Sequence, residues 1–157
     1  MKVKLLCILV VAVISLSGVF FLRPKTVELR DIYSFYYFFT TGNQMNASVS
    51  YSLRKEDGKY IAAIKPKGVP TEEAKTYEVT ETFVKELEKF LWENQVEKWN
   101  GFDRSAKIVR DGNQFSLDIY MENGDEFSAH GYMKWPKNYQ IVSEGIIALF
   151  DQLKDSH

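Results

Sequence analysis

The stretch Asp111–Tyr139, DGNQFSLDIYMENGDEFSAHGYMKWPKNY, decides how this chain folds. Phe115, Leu117, Ile119 and Met121 alternate with Ser116, Asp118, Tyr120 and Glu122, the period of two that marks a half-buried strand. Beyond Asn123-Gly124, Phe127, Ala129 and Gly131 alternate with Ser128, His130 and Tyr132. A two-residue Asn-Gly turn would set Ile119 opposite Ser128 and Leu117 opposite His130, mixing apolar with polar. A three-residue loop, Glu122-Asn123-Gly124 with a left-handed Gly124 as a G1 bulge, sets Ile119 opposite Phe127 and Leu117 opposite Ala129. Only the second register keeps one face apolar, so it is the expected one.

The same reasoning extends outward. Glu28 to Thr41 reads as a strand, with six aromatic rings among the seven residues Tyr33–Phe39. Rings on both sides place it inside a sheet with both faces at least partly covered. Successive rings point to opposite faces, so they fill a core more readily than they form a platform for stacking ligands. A second hairpin follows, with Val49, Tyr51 and Leu53 inward, a turn at Asp57-Gly58, and a return strand from Tyr60 to Ile64. Lys65 to Lys75 reads as an exposed connector between Pro66 and Pro70.

A helix is expected after the cap Thr80, with Phe83, Leu87, Phe90, Leu91 and Asn94 inward and Lys85, Glu86, Glu88, Lys89 and Glu93 facing water. Trp99-Asn100-Gly101-Phe102 makes a packed corner, and Ala106 to Arg110 a short strand. Past Trp135-Pro136, Asn138 caps a last helix whose stripe is Val142, Ile146, Leu149, Phe150 and Leu153. Gly145 lets that helix approach the sheet. Strand, hairpin and helix thus occur twice, and Gly-Asn-Gln at 42–44 and 112–114 raises the idea of an internal duplication. The fold class is α+β: an antiparallel sheet built from hairpins, two helices on one face, and an N-terminal transmembrane helix.

That N-terminal segment is the uncharged apolar run Leu5–Leu22, bounded by Lys2 and Lys4 before it and Arg23-Pro24-Lys25 after it. Its length approaches the ~20 residues needed to cross a bilayer as a helix. It reads as an uncleaved anchor, with a cleaved signal peptide as the alternative. Ser15-Leu16-Ser17 offers a small-x-small site, yet the apolar run continues past it. The basic flanks are nearly balanced, but a short basic tail before an apolar run resembles a secretion signal, which favours an exported domain. The chain divides into 1–25, a membrane anchor or signal segment, and 26–157, a single extracytoplasmic domain. The expected location is the cell membrane, with the domain outside the cytoplasm, or secreted if the segment is cleaved.

Four of the 20 Lys and Arg residues precede residue 26, which leaves 16 against 21 Asp and Glu in the domain. A domain of net charge −5 gains nothing from phosphate backbones, so nucleic acid is not an expected partner. The single cysteine, Cys7, lies in the apolar run, which excludes disulfides and thiol chemistry within the domain. An exported domain without disulfides fits a bacterial source.

The sequence contains no nucleophile elbow, phosphate-binding glycine loop, zinc-binding helix motif or calcium loop. His130 shares a polar strand face with Ser116, Asp118 and Ser128, and Ser, His and Asp together suggest a hydrolase. A flat strand face lacks both an enclosed pocket and preorganised oxyanion donors, which speaks for a solvated surface. Asp57, Asp111 and Asp125 adjoin glycines and read as turn residues. No catalytic, cofactor-binding or metal-ligating residue is assigned, and no cofactor is expected.

Lys98-Trp99-Asn100-Gly101-Phe102, Asp111-Gly112 with Phe115-Ser116-Leu117, the turn at Asn123-Gly124, Ser128-Ala129, Gly131, and Lys134-Trp135-Pro136 with Asn138-Tyr139 carry a resemblance. Over residues 28–152, and most specifically 98–139, the chain resembles an uncharacterised extracytoplasmic domain of Gram-positive bacterial lipoproteins and membrane-anchored proteins. The resemblance implies a surface setting and assigns no reaction. This chain departs from the lipoprotein members in lacking the modified cysteine, so its anchor would be the apolar helix. The expected role is a non-enzymatic, membrane-tethered domain that binds a protein or small ligand. A small hydrolase-like enzyme is the alternative.

Overall fold

The computed structural model describes residues 27–40, 48–107 and 112–155. The apolar run, the turn at 41–43, Asn46-Ala47, residues 108–111 and His157 lie outside them. Among the described residues no helix is long and apolar enough to cross a membrane.

The chain is an α+β fold. The described residues form seven strands, β1 (Ile32–Thr40), β2 (Val49–Glu56), β3 (Lys59–Pro66), β4 (Lys75–Val79), β5 (Phe102–Ser105), β6 (Gln114–Met121) and β7 (Glu126–Tyr132). They form one sheet in the order β4-β3-β2-β1-β6-β7-β5, antiparallel except where β5 runs parallel to β7. Helices α1 (Glu81–Glu93) and α2 (Tyr139–Asp151) cover one face.

The β6–β7 hairpin adopts the expected bulged register, with Ile119 opposite Phe127 and Leu117 opposite Ala129. Gly124 has φ +83°, and its N–H donates to the Met121 carbonyl, closing the turn. The β2–β3 hairpin differs in its turn. Asp57 and Gly58 both have positive φ and bridge Glu56 to Lys59 directly, a two-residue connection.

The core sits between sheet and helices. Phe35 and Tyr37 of β1, Leu53 of β2, Leu117 and Ile119 of β6 and Phe127 of β7 meet Leu87 and Leu91 of α1 and Ile146 and Phe150 of α2. Phe150 stacks on Phe35 and takes Phe83 and Tyr51 edge-on, tying both helices to the sheet centre.

Several expectations are corrected. Lys65–Lys75 is not wholly a connector, because β4 begins at Lys75 and pairs with β3. Tyr77 and Val79 point inward there, while Thr76 and Glu78 alternate outward. A strand follows the Trp99 corner directly at Phe102–Ser105; of the strand expected over 106–110, Ala106 and Lys107 are not part of it and the rest lies outside the described residues. Phe102–Ser105 lies beside β7 because Gly101 N–H donates to Ser128 O and Phe102 packs on Phe115. β1 is central, as its rings suggest, with one face buried and the other only partly covered: Ser34 and Phe38 are half-buried there and Tyr36 is 41% exposed.

Glu88 does not face water. It is buried and its Oε1 accepts the Ile32 N–H at 2.9 Å. Asn94 is the C-cap of α1, donating to the Phe90 carbonyl, instead of a member of the inward stripe. Thr80 and Asn138 occupy the N-cap positions without a side-chain capping bond. A Cβ at Gly145 would strike the Phe90 ring, so this glycine serves the crossing of α2 over α1 and not an approach to the sheet. The duplication idea finds no echo in pairing: β1 is antiparallel to β2, whereas β5 is parallel to β7.

Candidate functional site

Two places gather polar side chains, and their geometry separates them. The first is the uncovered face of the sheet. Pairing aligns Phe38, Ser116, His130 and Asp103 in one row across β1, β6, β7 and β5. His130 Nε2 lies 3.0 Å from Asp118 Oδ1, and Ser116 Oγ donates to Asp118 Oδ2 at 3.0 Å. The three residues that suggested a hydrolase are therefore in contact, but in the wrong order. The carboxylate sits in the middle, so the serine proton points at Asp118 and no imidazole stands ready to take it. The neighbouring cavity, about 290 Å³, is a surface hollow bordered by Phe38, Arg104 and Tyr132.

The second place is a cleft of about 770 Å³ at one end of the sheet, within the size range of small-molecule sites. Its walls are the end of β1 (Phe39, Thr40), Asn113 before β6, the Trp135-Pro136 break, and the first two turns of α2. Local sequence builds it. Pro136 cannot continue the hairpin, and Asn138 turns in the left-handed region at φ 63°, so the chain reverses onto Tyr139 at the start of α2.

Tyr139 stacks on Trp135 with ring centres 4.5 Å apart and packs against Phe115 at 4.7 Å. Trp99 supports this ring cluster from below and fixes the preceding loop by donating its Nε1–H to the Lys137 carbonyl at 3.1 Å. Trp135 remains 39% exposed and Ile141 59% exposed at the cleft wall.

Beneath the rings is a hydroxyl cluster. Tyr37 Oη donates to Ser143 Oγ at 2.7 Å and lies 3.0 Å from Tyr139 Oη. Burial pushes the Tyr37 phenol far above its ordinary range, and the neighbouring Tyr139 adds to this. Burial also raises Tyr139, against the lowering effect of its hydroxyl partners. Both phenols stay protonated and neutral at physiological pH. They can donate and accept hydrogen bonds but cannot take a proton as general bases. Among the described lining residues Glu144 is the one that is charged, and its Oε1 accepts from Gln140 Nε2 at 3.0 Å. Among the described residues, no group of three or more His, Cys, Asp or Glu could hold a metal ion.

Sequence reading missed the cleft although it quoted most of its wall. Trp135-Pro136 was visible as a break, yet only the fold brings it beside Phe39 and Thr40, nearly a hundred positions earlier. The inward ring of Tyr37 signalled core, and nothing in a strand pattern tells that its hydroxyl reaches Ser143 on a helix. A scan against protein-family models gives no match, and a search of the curated proteins gives none either.

Proposed function

We propose that this chain is a membrane-tethered extracytoplasmic domain, non-catalytic, that acts by binding a ligand or protein segment in the cleft between Trp135, Ile141 and the end of β1. The observation that carries the reading is the composition of that cleft. It joins an exposed aromatic wall to neutral hydroxyl and amide groups, with no nucleophile–base pair among its described lining residues. Such a surface recognises; it does not move protons. On this reading residues 5–22 hold the chain in the membrane, and the domain takes its place beside those of Gram-positive lipoproteins and membrane-anchored proteins.

The test has two arms. Full-length chain should stay in the membrane pellet after carbonate washing and be cut by protease added outside intact cells. A soluble product beginning near Gly18 contradicts the tether. In the second arm, a screen of small neutral compounds should yield ligands that raise the melting temperature of the wild type but not of Ile141→Glu, a surface change in the cleft wall. Ligands that stabilise both equally bind elsewhere and contradict the cleft.

A further inference from the structure

We infer that the cleft takes a neutral saccharide, with one sugar ring stacked against Trp135; the inference rests on the cleft being the binding site. Three features select this class. The first is the arrangement of the rings. Trp135 and Tyr139 lie at 26° to each other with centres 4.5 Å apart, so they form one layered platform, with the outer surface of Trp135 exposed. A cage for a quaternary ammonium needs rings that surround the cation, and a slot for a polyproline helix needs rings splayed apart. A layered platform suits the flat, weakly polarised C–H face of a pyranose.

The second feature is the kind of polar group around the platform. Asn138 and Gln140 carry amides that both donate and accept, the latter with one N–H already given to Glu144. Thr40 carries a hydroxyl that accepts the Gln114 N–H and keeps its own proton to donate. Sugar hydroxyls also donate and accept, so each can be met in either sense. The proline residues of a proline-rich peptide offer carbonyl acceptors alone and would leave the accepting half of this capacity unused.

The third is charge. Among the described residues that line the cleft there is no Lys or Arg, and the one carboxylate, Glu144, disfavours anions. Its phenols remain neutral for the reasons given above. Phosphate-bearing and carboxylate-bearing ligands are therefore poor fits, and an uncharged saccharide is the remaining class that uses the whole surface.

The experiment uses full-length chain labelled with 5-fluorotryptophan in sugar-free detergent micelles and read by fluorine NMR. The three tryptophans act as position markers. Trp135 reports the cleft and the adjoining hollow beside Lys98 and Lys137, which Gln140→Ala tells apart because Gln140 lines the cleft alone. Trp92 reports a separate groove beside Leu29 and Arg30. Trp99 reports the buried corner. Maltotriose, cellotriose and triacetylchitotriose are titrated in turn.

The expected result is a saturable shift of the Trp135 resonance with at least one of them, with Trp92 unmoved. Gln140→Ala, an exposed change that leaves the core untouched, should weaken that binding several-fold. Trp135→Ala should weaken it about tenfold or more, the scale of a truncated central ring. If a proline-rich decapeptide moves Trp135 and no saccharide does, the saccharide assignment is overturned while the cleft stands as a binding site. If neither moves Trp135, the saccharide is overturned. The cleft itself is then judged separately, by the compounds tested against Ile141→Glu.

Discussion

Glu88 offers the sharpest test of how the domain is held together. It lies on α1 among lysines and glutamates, yet it is 7% exposed and its Oε1 accepts the N–H of Ile32 at 2.9 Å. Ile32 opens β1 at an irregularity in its pairing with β6, where the ladder leaves this N–H to the helix. Lys85 sits 3.2 Å from the other carboxylate oxygen and also reaches Asp31, binding the start of the strand to the helix. Glu88→Ala orphans a buried N–H, which costs about 1–3 kcal/mol. Lys85 is half exposed, so its lost pair adds no more than ~1 kcal/mol. The sum is about 1–4 kcal/mol. Glu88→Gln keeps an amide oxygen for Ile32 and loses mainly the charge, so it should cost about 1 kcal/mol. Urea denaturation of residues 26–157 measures both. Equal costs for the two variants, or a neutral Glu88→Ala, would refute the argument that a backbone N–H is what this carboxylate serves.

Other outcomes follow from the same structure. A Cβ at Gly124 meets no atom within 4 Å, so the cost of Gly124→Val is mainly that of the backbone: about 1–2 kcal/mol for a β-branched residue at φ +83°. A neutral melt would remove the bulged turn as the source of register. Leu117→Ala, at the fully buried centre of β6, should cost roughly 2–5 kcal/mol by loss of burial and the cavity left behind. His130→Ala on the uncovered face should stay within ~0.5 kcal/mol, as surface substitutions do. Thermal melts compare the two, and a His130 loss as large as that of Leu117 would mark the Ser116–Asp118–His130 cluster as more than solvated surface.

Alkaline pH should act through the buried phenols. Burial pushes Tyr51 from the ordinary 10.0 up to about 12, and Tyr37 is raised further. Their folded pKa values exceed the unfolded one, so their stabilisation is complete below pH 10; that of Tyr51 is lost as pH rises to about 12, and that of Tyr37 goes on falling beyond it. Following unfolding and phenolate absorbance together tests this. Tyr37→Phe should flatten the upper part of the decline.

What the sequence made legible is what period and turn chemistry encode. The β6–β7 register followed from one requirement, that Ile119 and Leu117 face apolar partners, because a slip of one residue reverses every side chain. The inward stripe Val142, Ile146 and Phe150 was equally plain. The missed strand β4 is short and charged: Lys75 and Glu78 hide the alternation of Tyr77 and Val79. Strand β5 buries only part of one ring, so its signal was too weak to place. Glu88 looked solvated because its partner is a backbone N–H 56 residues away, and backbone groups leave no trace in composition. The cleft was illegible for the same reason. Its platform is local, in Trp135 and Tyr139, while its opposite wall and the Tyr37 hydroxyl of its floor come from β1.

The central claim, that binding occurs at this cleft, is tested most directly by photo-crosslinking in living cells. Full-length chain would carry p-benzoylphenylalanine in place of Ile141 at the cleft wall or, separately, in place of Trp92, which is 54% exposed on α1 and lines a different groove. Both positions tolerate a large ring in solvent, so both chains should fold and reach the membrane alike. The account predicts a crosslinked adduct from position 141 and none from position 92. Adducts of equal yield at both positions, or an adduct from position 92 alone, would contradict it.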